Sequence, residues 1–196
     1  MRNFKSQKRL RKIEAVIKAR QFSLKMILEN IHDPHNVSAI LRTCDAVGIP
    51  IVSLIYTIEK FPKIGKKSSA SAFKWVEKEK FKSVAECYDH LRKNNYKIYA
   101  SALRSESKSL YDLDLTGKTA LVFGNEHRGV SDEAAANADE LFTIPMFGMV
   151  QSLNVSVAAA VALYEAFRQR FTAGYYKNSE LTVAQINSLI DEWCKK

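Results

Sequence analysis

No run of about 18 apolar residues occurs in the 196-residue chain, so a membrane-spanning helix is not expected. The N-terminus lacks the apolar stretch of a signal peptide and is basic from its start. Cysteine is scarce. Cys44, Cys87 and Cys194 are far apart and odd in number, which argues against a disulfide framework and offers no metal-ligand spacing. Acid is almost missing from the first 25 residues, where Glu14 alone faces Arg2, Lys5, Lys8, Arg9, Arg11, Lys12, Lys18, Arg20 and Lys25. Internal repeats and low-complexity segments are absent too. The expectation is a cytoplasmic chain with free thiols. Its apolar content of 46% suits one domain with a sizeable core.

The formal net charge is +9, and nearly all of that excess sits in the basic arm. Such clustering points to a polyanion, held through phosphate contacts and counterion release. Nucleic acid is the expected partner. A membrane surface fits less well, because the arm offers few large apolar residues beside Phe4, Leu10, Ile13 and Ile17.

Along the chain, helical and strand-like stretches alternate. Residues 6–20 suit a helix, and Leu24–Leu28 suits a strand. Asn36–Val47 has apolar residues at helical spacing and stops at Gly48. Ile51–Ile55 is a buried strand. Residues 57–72 read as a long loop, Lys74–Lys78 as a short strand, Ser83–Asn94 as a helix and Tyr96–Ala100 as a strand. Thr119–Phe123 is a strand, Ser131–Ala138 a helix with Ser131 as its cap, and Glu140–Ile144 a strand. A long helix follows over Leu153–Phe171, and Thr182 caps a last one to Trp193. The pattern predicts an α/β domain built on a mostly parallel sheet with helices on both faces. It spans 23–172, between a basic helical extension (1–22) and a C-terminal helical extension (173–196).

Three segments at strand-to-helix junctions could carry chemistry. In Gly124-Asn-Glu-His-Arg-Gly-Val-Ser131 the glycine spacing is that of a P-loop, but Val130 stands where the phosphate-binding lysine would be. Glu126 in the same loop would repel triphosphate, which argues against a nucleotide triphosphatase. In Asn30–Asp45, Asn36 lies near a helix start. Arg42 reads as buried between Leu41 and Thr43, where it would need an anionic partner, from a ligand phosphate or from a carboxylate such as Asp45. His32 and His35 have no third ligand nearby, so no metal is expected. In Ile144–Ser156, Ser152 is a natural helix cap. Asn154 then has no capping duty in a stretch that becomes continuous Ala and Val, a local rule broken in the manner of functional sites. In a parallel sheet such junctions gather at one edge, where ligands bind.

Taken together, His35–Gly48, Phe123–Ser131 and Ile144–Ala158 resemble the three motifs of the SPOUT (α/β-knot) RNA methyltransferases, most closely the TrmH-type tRNA guanosine 2′-O-methyltransferases. The resemblance covers essentially the whole chain. It implies a deep C-terminal trefoil knot, an exception to the rule against threading. It implies a homodimer with its site at the subunit interface. S-adenosylmethionine would be held in the knot near Ser101, Ala102, Leu103, Gly124, Ile144 and Leu153. Arg42 would be catalytic, with Asn36, Glu126, Ser152 and Asn154 shaping the site around it. The reaction would be 2′-O-methylation of guanosine 18 in the tRNA D-loop.

The family mechanism makes Arg42 the base that activates the hydroxyl. Free arginine stays protonated to a pKa above about 12. Arg42 therefore needs an unusual environment, or it acts with the substrate phosphate and orients the hydroxyl. Arg9, Arg11, Lys12, Arg20, Lys63, Lys66 and Lys67 are candidate tRNA contacts, with Arg168 and Arg170 weaker ones. Residues 66–75 depart from the family, which carries more glycine there. Methylation of ribosomal RNA is the nearest alternative; the compact chain with its short arm favours tRNA. A non-catalytic RNA-binding protein on the same fold would predict a lost motif residue, and each is present.

Overall fold

A computed structural model describes residues 5–63 and 72–196. Its elements run α1 (Gln7–Lys18), β1 (Leu24–Glu29), α2 (Pro34–Val47), β2 (Ile51–Ile55), α3 (Ala72–Trp75), β3 (Glu77–Phe81), α4 (Val84–Lys93), β4 (Lys97–Ser101), β5 (Lys108–Ser109), β6 (Thr119–Phe123), α5 (Asp132–Asn137), β7 (Glu140–Thr143), α6 (Val155–Thr172) and α7 (Val183–Trp193). The seven strands form one sheet in the order β3-β2-β1-β6-β4-β7-β5, with every described pairing parallel.

Period-two alternation sorts each central strand between two cores. Leu24, Met26 and Leu28 of β1 pack toward α2 and α6, whereas Ile27 packs toward α4. Leu121 and Phe123 of β6 likewise oppose Ala120 and Val122. Burial on both faces is why these strands read as unbroken apolar runs rather than as alternating ones. A third cluster joins Ile13 and Ile17 of α1 to Ile186, Ile190 and Trp193 of α7, so the two helical extensions pack on each other.

Two expectations need correction. The segment Lys74–Lys78 is not one strand. Ala72–Trp75 closes a helical turn, with Val76 N donating to Ala72 O at 3.0 Å, and β3 begins at Glu77 in register with Ile51. As an edge strand β3 has little apolar character of its own, so its identity comes from pairing with β2. Asn154 also proves to have a capping role: its side chain accepts from Ser156 N at 2.8 Å and starts α6, leaving Ser152 outside the helix. The 57–72 stretch is loop at least through Lys63, and its remainder up to 71 lies outside the described residues. The two-residue β5 carries no apolar residue and becomes a strand only by pairing with β7.

β1 leads to β2 on one side, whereas β6 leads through α5 to β7 on the other. The connections that leave these two paired strands therefore run to opposite sides, and a crevice opens between the loops at their carboxyl ends.

Candidate active site

The loop after β6 turns back on itself. Gly129 N donates to Asn125 O at 2.8 Å, and Gly129 sits at φ +70°. A side chain on Gly124 would collide with Gly129 and Val130, as its Cβ would lie 2.1 Å from the Gly129 carbonyl. Glycine at 124 thus serves the loop's own closure. Asn125 completes the turn: its Oδ1 accepts from His127 N at 3.0 Å and Arg128 N at 3.3 Å, and its Nδ2 donates to Asn30 O at 2.9 Å.

This loop aims Glu126 across the crevice at the start of α2. Its carboxylate accepts from His32 N at 3.0 Å, Asp33 N at 3.1 Å and Asn36 Nδ2 at 2.9 Å. Burial pushes the Glu126 carboxyl up, but the bonds from Asn36, His32 and Asp33 outweigh it and hold it below the usual carboxylate range. Asn36 in turn accepts from Asn154 Nδ2 at 3.1 Å. One hydrogen-bonded chain, Glu126–Asn36–Asn154, therefore joins three segments that lie 28 to 118 residues apart in sequence.

Beside this chain is a cavity of about 420 Å³ at the carboxyl ends of β4, β6 and β7. Ser101, Ala102, Leu103, Gly124, Ile144 and Leu153 all line it, and Glu126 and Ser152 reach it. Its volume falls in the range of small-molecule sites, roughly 300–1,000 Å³. The wall mixes loop backbone with apolar side chains, which suits a nucleoside carrying a short polar tail.

Other candidates are redistributed. Arg42 is exposed, not buried, and has no hydrogen-bond or ion-pair partner among the described residues. Asp45, one turn on, pairs with Arg20 instead, at 2.6 Å. That arginine is 1% exposed: it also donates to Ile49 O at 3.0 Å, and its guanidinium lies over the Trp193 ring. Arg20 therefore cannot contact RNA as expected; its charge is used inside the fold. Arg170 is likewise fully buried, and Arg168 is engaged by Glu165 at 2.7 Å. Arg9, Arg11, Lys12 and Lys63 are exposed, whereas Lys66 and Lys67 lie outside the described residues.

Sequence reasoning passed over Asn30. It adopts a left-handed conformation (φ 52°) at the end of β1, and its Oδ1 accepts from the backbone N–H groups of Thr57, Ile58 and Glu59 at 3.0–3.2 Å. It thereby ties the loops after β1, β2 and β6 together. Asparagine tolerates that conformation and can bond backbone locally, the one signal its position offered.

A model of the SpoU rRNA Methylase family matches residues 23–164. A Thermus thermophilus protein named tRNA (guanosine(18)-2′-O)-methyltransferase is 43% identical over 192 residues, 98% of each chain. The crystal structure of the A. aeolicus TrmH/SpoU tRNA modifying enzyme superposes with a TM-score of 0.90 at 38% identity, over 95% of each chain. That of the SpoU methyltransferase AviRb from Streptomyces viridochromogenes, in complex with the cofactor AdoMet, gives 0.70 at 26% identity, over 80% of this chain and 64% of that one.

Proposed function

The chain belongs to the SpoU rRNA methylase family, and from that premise we propose that it methylates the ribose 2′-hydroxyl of guanosine 18 in the tRNA D-loop, with S-adenosylmethionine as donor. The observation that carries the reading is the Glu126–Asn36–Asn154 chain standing beside the 420 Å³ cavity. Near-full-length similarity to proteins named for this reaction supports the substrate. The AdoMet complex of a relative supports the donor.

When bound, the donor supplies an electrophilic methyl group on a sulfonium. A ribose hydroxyl is a weak nucleophile, so this chain's residues must align it for in-line attack and help its proton leave. Ser101–Leu103, Gly124, Ile144 and Leu153 would hold the nucleoside part of the donor. Glu126, fixed by three bonds, would keep the loops after β1 and β6 in register. Asn154 would lock the start of α6 against α2. Arg42, with no carboxylate partner among the described residues, offers its charge to the RNA phosphate and orients the hydroxyl. Arg9, Arg11, Lys12 and Lys63 would follow the tRNA backbone.

The same reading includes a homodimer. Val157, Tyr164 and Phe171 of α6 recur every seven residues on one face and are 48, 52 and 61% exposed, while Phe147 and Met149 in the preceding loop are fully exposed. An apolar surface of this kind marks an interaction site. Sedimentation should give a species of twice 22.2 kDa; a 22.2 kDa species at micromolar concentration rules the pairing out.

The direct test supplies labelled S-adenosylmethionine with unmodified tRNA transcripts or ribosomal RNA and maps the methylated nucleotide. Label at the 2′-oxygen of guanosine 18 is expected. Label confined to ribosomal RNA moves the substrate, and label on no RNA overturns the enzymatic reading.

A further inference from the structure

A second cavity, of about 400 Å³, opens at the carboxyl ends of β2 and β3. Tyr56, Phe61 and Phe81 form its aromatic wall, and Lys60, Lys80 and Glu59 stand at it. Tyr56 is fixed at both ends: its hydroxyl donates to Ile31 O at 2.9 Å, and its ring meets Phe61 edge-on with centroids 5.2 Å apart. All three rings are half-buried, so each keeps a surface open to solvent. Lys60 and Lys80 are exposed and have no hydrogen-bond or ion-pair partner among the described residues.

Glu59 differs from the two lysines. It binds Arg128 at 2.8 Å and faces His32 Nδ1 at 3.4 Å. Those partners belong to the loops after β6 and β1, which also hold Glu126. The second cavity is thus clamped to the proposed catalytic loops by an ion pair. Two and a half strand spacings of about 4.8 Å separate it from the end of β6, on the order of 12 Å, close enough for one RNA strand to reach both.

From this juxtaposition we infer that the cavity is a nucleotide subsite: it takes one unpaired base of the RNA substrate against Phe61 and Tyr56, while Lys60 and Lys80 hold the adjoining phosphates. The chemistry is that of single-strand recognition, in which aromatic faces stack bases and flanking cations track the backbone. Ammonium groups with no partner among the described residues, beside half-buried aromatic rings, suit a ligand that is both planar and anionic. A purely apolar occupant would leave both charges unused. The inference rests on the RNA-methylating reading but concerns binding of RNA outside the methyl-transfer site.

Equilibrium binding of an unmodified tRNA transcript to the full chain tests it, read by fluorescence anisotropy so that catalysis is not required. Phe61→Ala should weaken binding roughly five- to a hundredfold, the range of one lost base stack. Phe61→Tyr should restore it, and S-adenosylmethionine affinity should not change. Transcripts carrying single abasic sites then locate the base. One position should weaken binding to the wild type and leave binding to Phe61→Ala unaffected. Lys60→Gln with Lys80→Gln, both on exposed side chains, should weaken binding and flatten its salt dependence even if Phe61→Ala folds poorly. Unchanged affinity in the lysine variant, or no abasic position coupled to Phe61, overturns the subsite. Loss of methylation on every RNA, with that coupling intact, would instead count against the enzymatic reading alone.

Discussion

Arg42→Ala should lower turnover about 10²–10³-fold, the usual cost of removing one preorganised group that steadies developing charge. The melting temperature and S-adenosylmethionine affinity should stay near those of the wild type. The two halves of this expectation come from one observation. Arg42 lies on the exposed side of α2 and contacts no acid among the described residues, so the fold draws little from it. Substitutions of that kind change stability by roughly ±0.5 kcal/mol. Arg42→Lys should restore little, because an ammonium cannot present the planar fork that grips a phosphate. Single-turnover rates on the tRNA transcript decide the matter. A variant that keeps half its rate removes Arg42 from the reaction.

Arg170→Met should have the opposite profile: a large loss of stability, by about 3–5 kcal/mol, on the order of two hydrogen bonds to a charged group. For a chain of this length that is a fall of roughly 6–20 °C in melting temperature. The side chain is fully buried at the end of α6. Its Nε donates to Leu115 O at 2.9 Å, and its terminal nitrogens donate to Ser23 Oγ at 2.8 Å, Ser23 O at 3.2 Å, Gln21 Oε1 at 3.3 Å and Gly117 O. Burial lowers its pKa, partly offset by Glu180 at 3.9 Å. Methionine would fill the space but leave Leu115 O with no other donor among the described residues, while Ser23 O and Gly117 O would keep only Thr119 as a donor. Thermal unfolding at matched protein concentration measures the effect. A shift under about 2 °C would mean that water replaces the guanidinium at no cost, and the network is then incidental.

These two arginines mark the boundary of what a linear reading reaches. The linear pattern predicts Arg42 inside and Arg170 outside, and the fold has them the other way round. Arg42 follows Leu41, but on a helix each residue advances about 100°, so adjacent positions face different ways. The buried positions of α2 run through Val37, Ile40, Leu41, Cys44 and Val47, and Arg42 falls off that stripe. Arg20 and Arg170 looked like members of basic clusters. Their burial depends on Asp45, Trp193 and carbonyls from distant segments, which no local pattern encodes.

The central strands were legible because they are buried on both faces and must be apolar throughout. Ile51–Ile55 and Thr119–Phe123 were read to the residue. β3 and β5 were not, since Glu77–Phe81 and Lys108–Ser109 lie at the two sheet edges and become strands only through their partners. The three site segments were legible as local anomalies: a glycine loop with an acid in it, an arginine in an apolar helix, and an asparagine opening an alanine-rich one.

By itself, then, the sequence determined the alternation of elements, the parallel α/β class, the basic N-terminal helix and the three segments that form the site. These depend on periodicity, capping chemistry and charge, which act within a few residues. The tertiary structure decided which of the charged groups are free to meet RNA. It also decided that Glu126, Asn36 and Asn154 form one chain, and that aromatic rings at the ends of β2 and β3 stand beside two lysines with no partner among the described residues. A charge or an amide gains its role from the groups that satisfy it, and here those groups come from strands brought side by side by the order of the sheet.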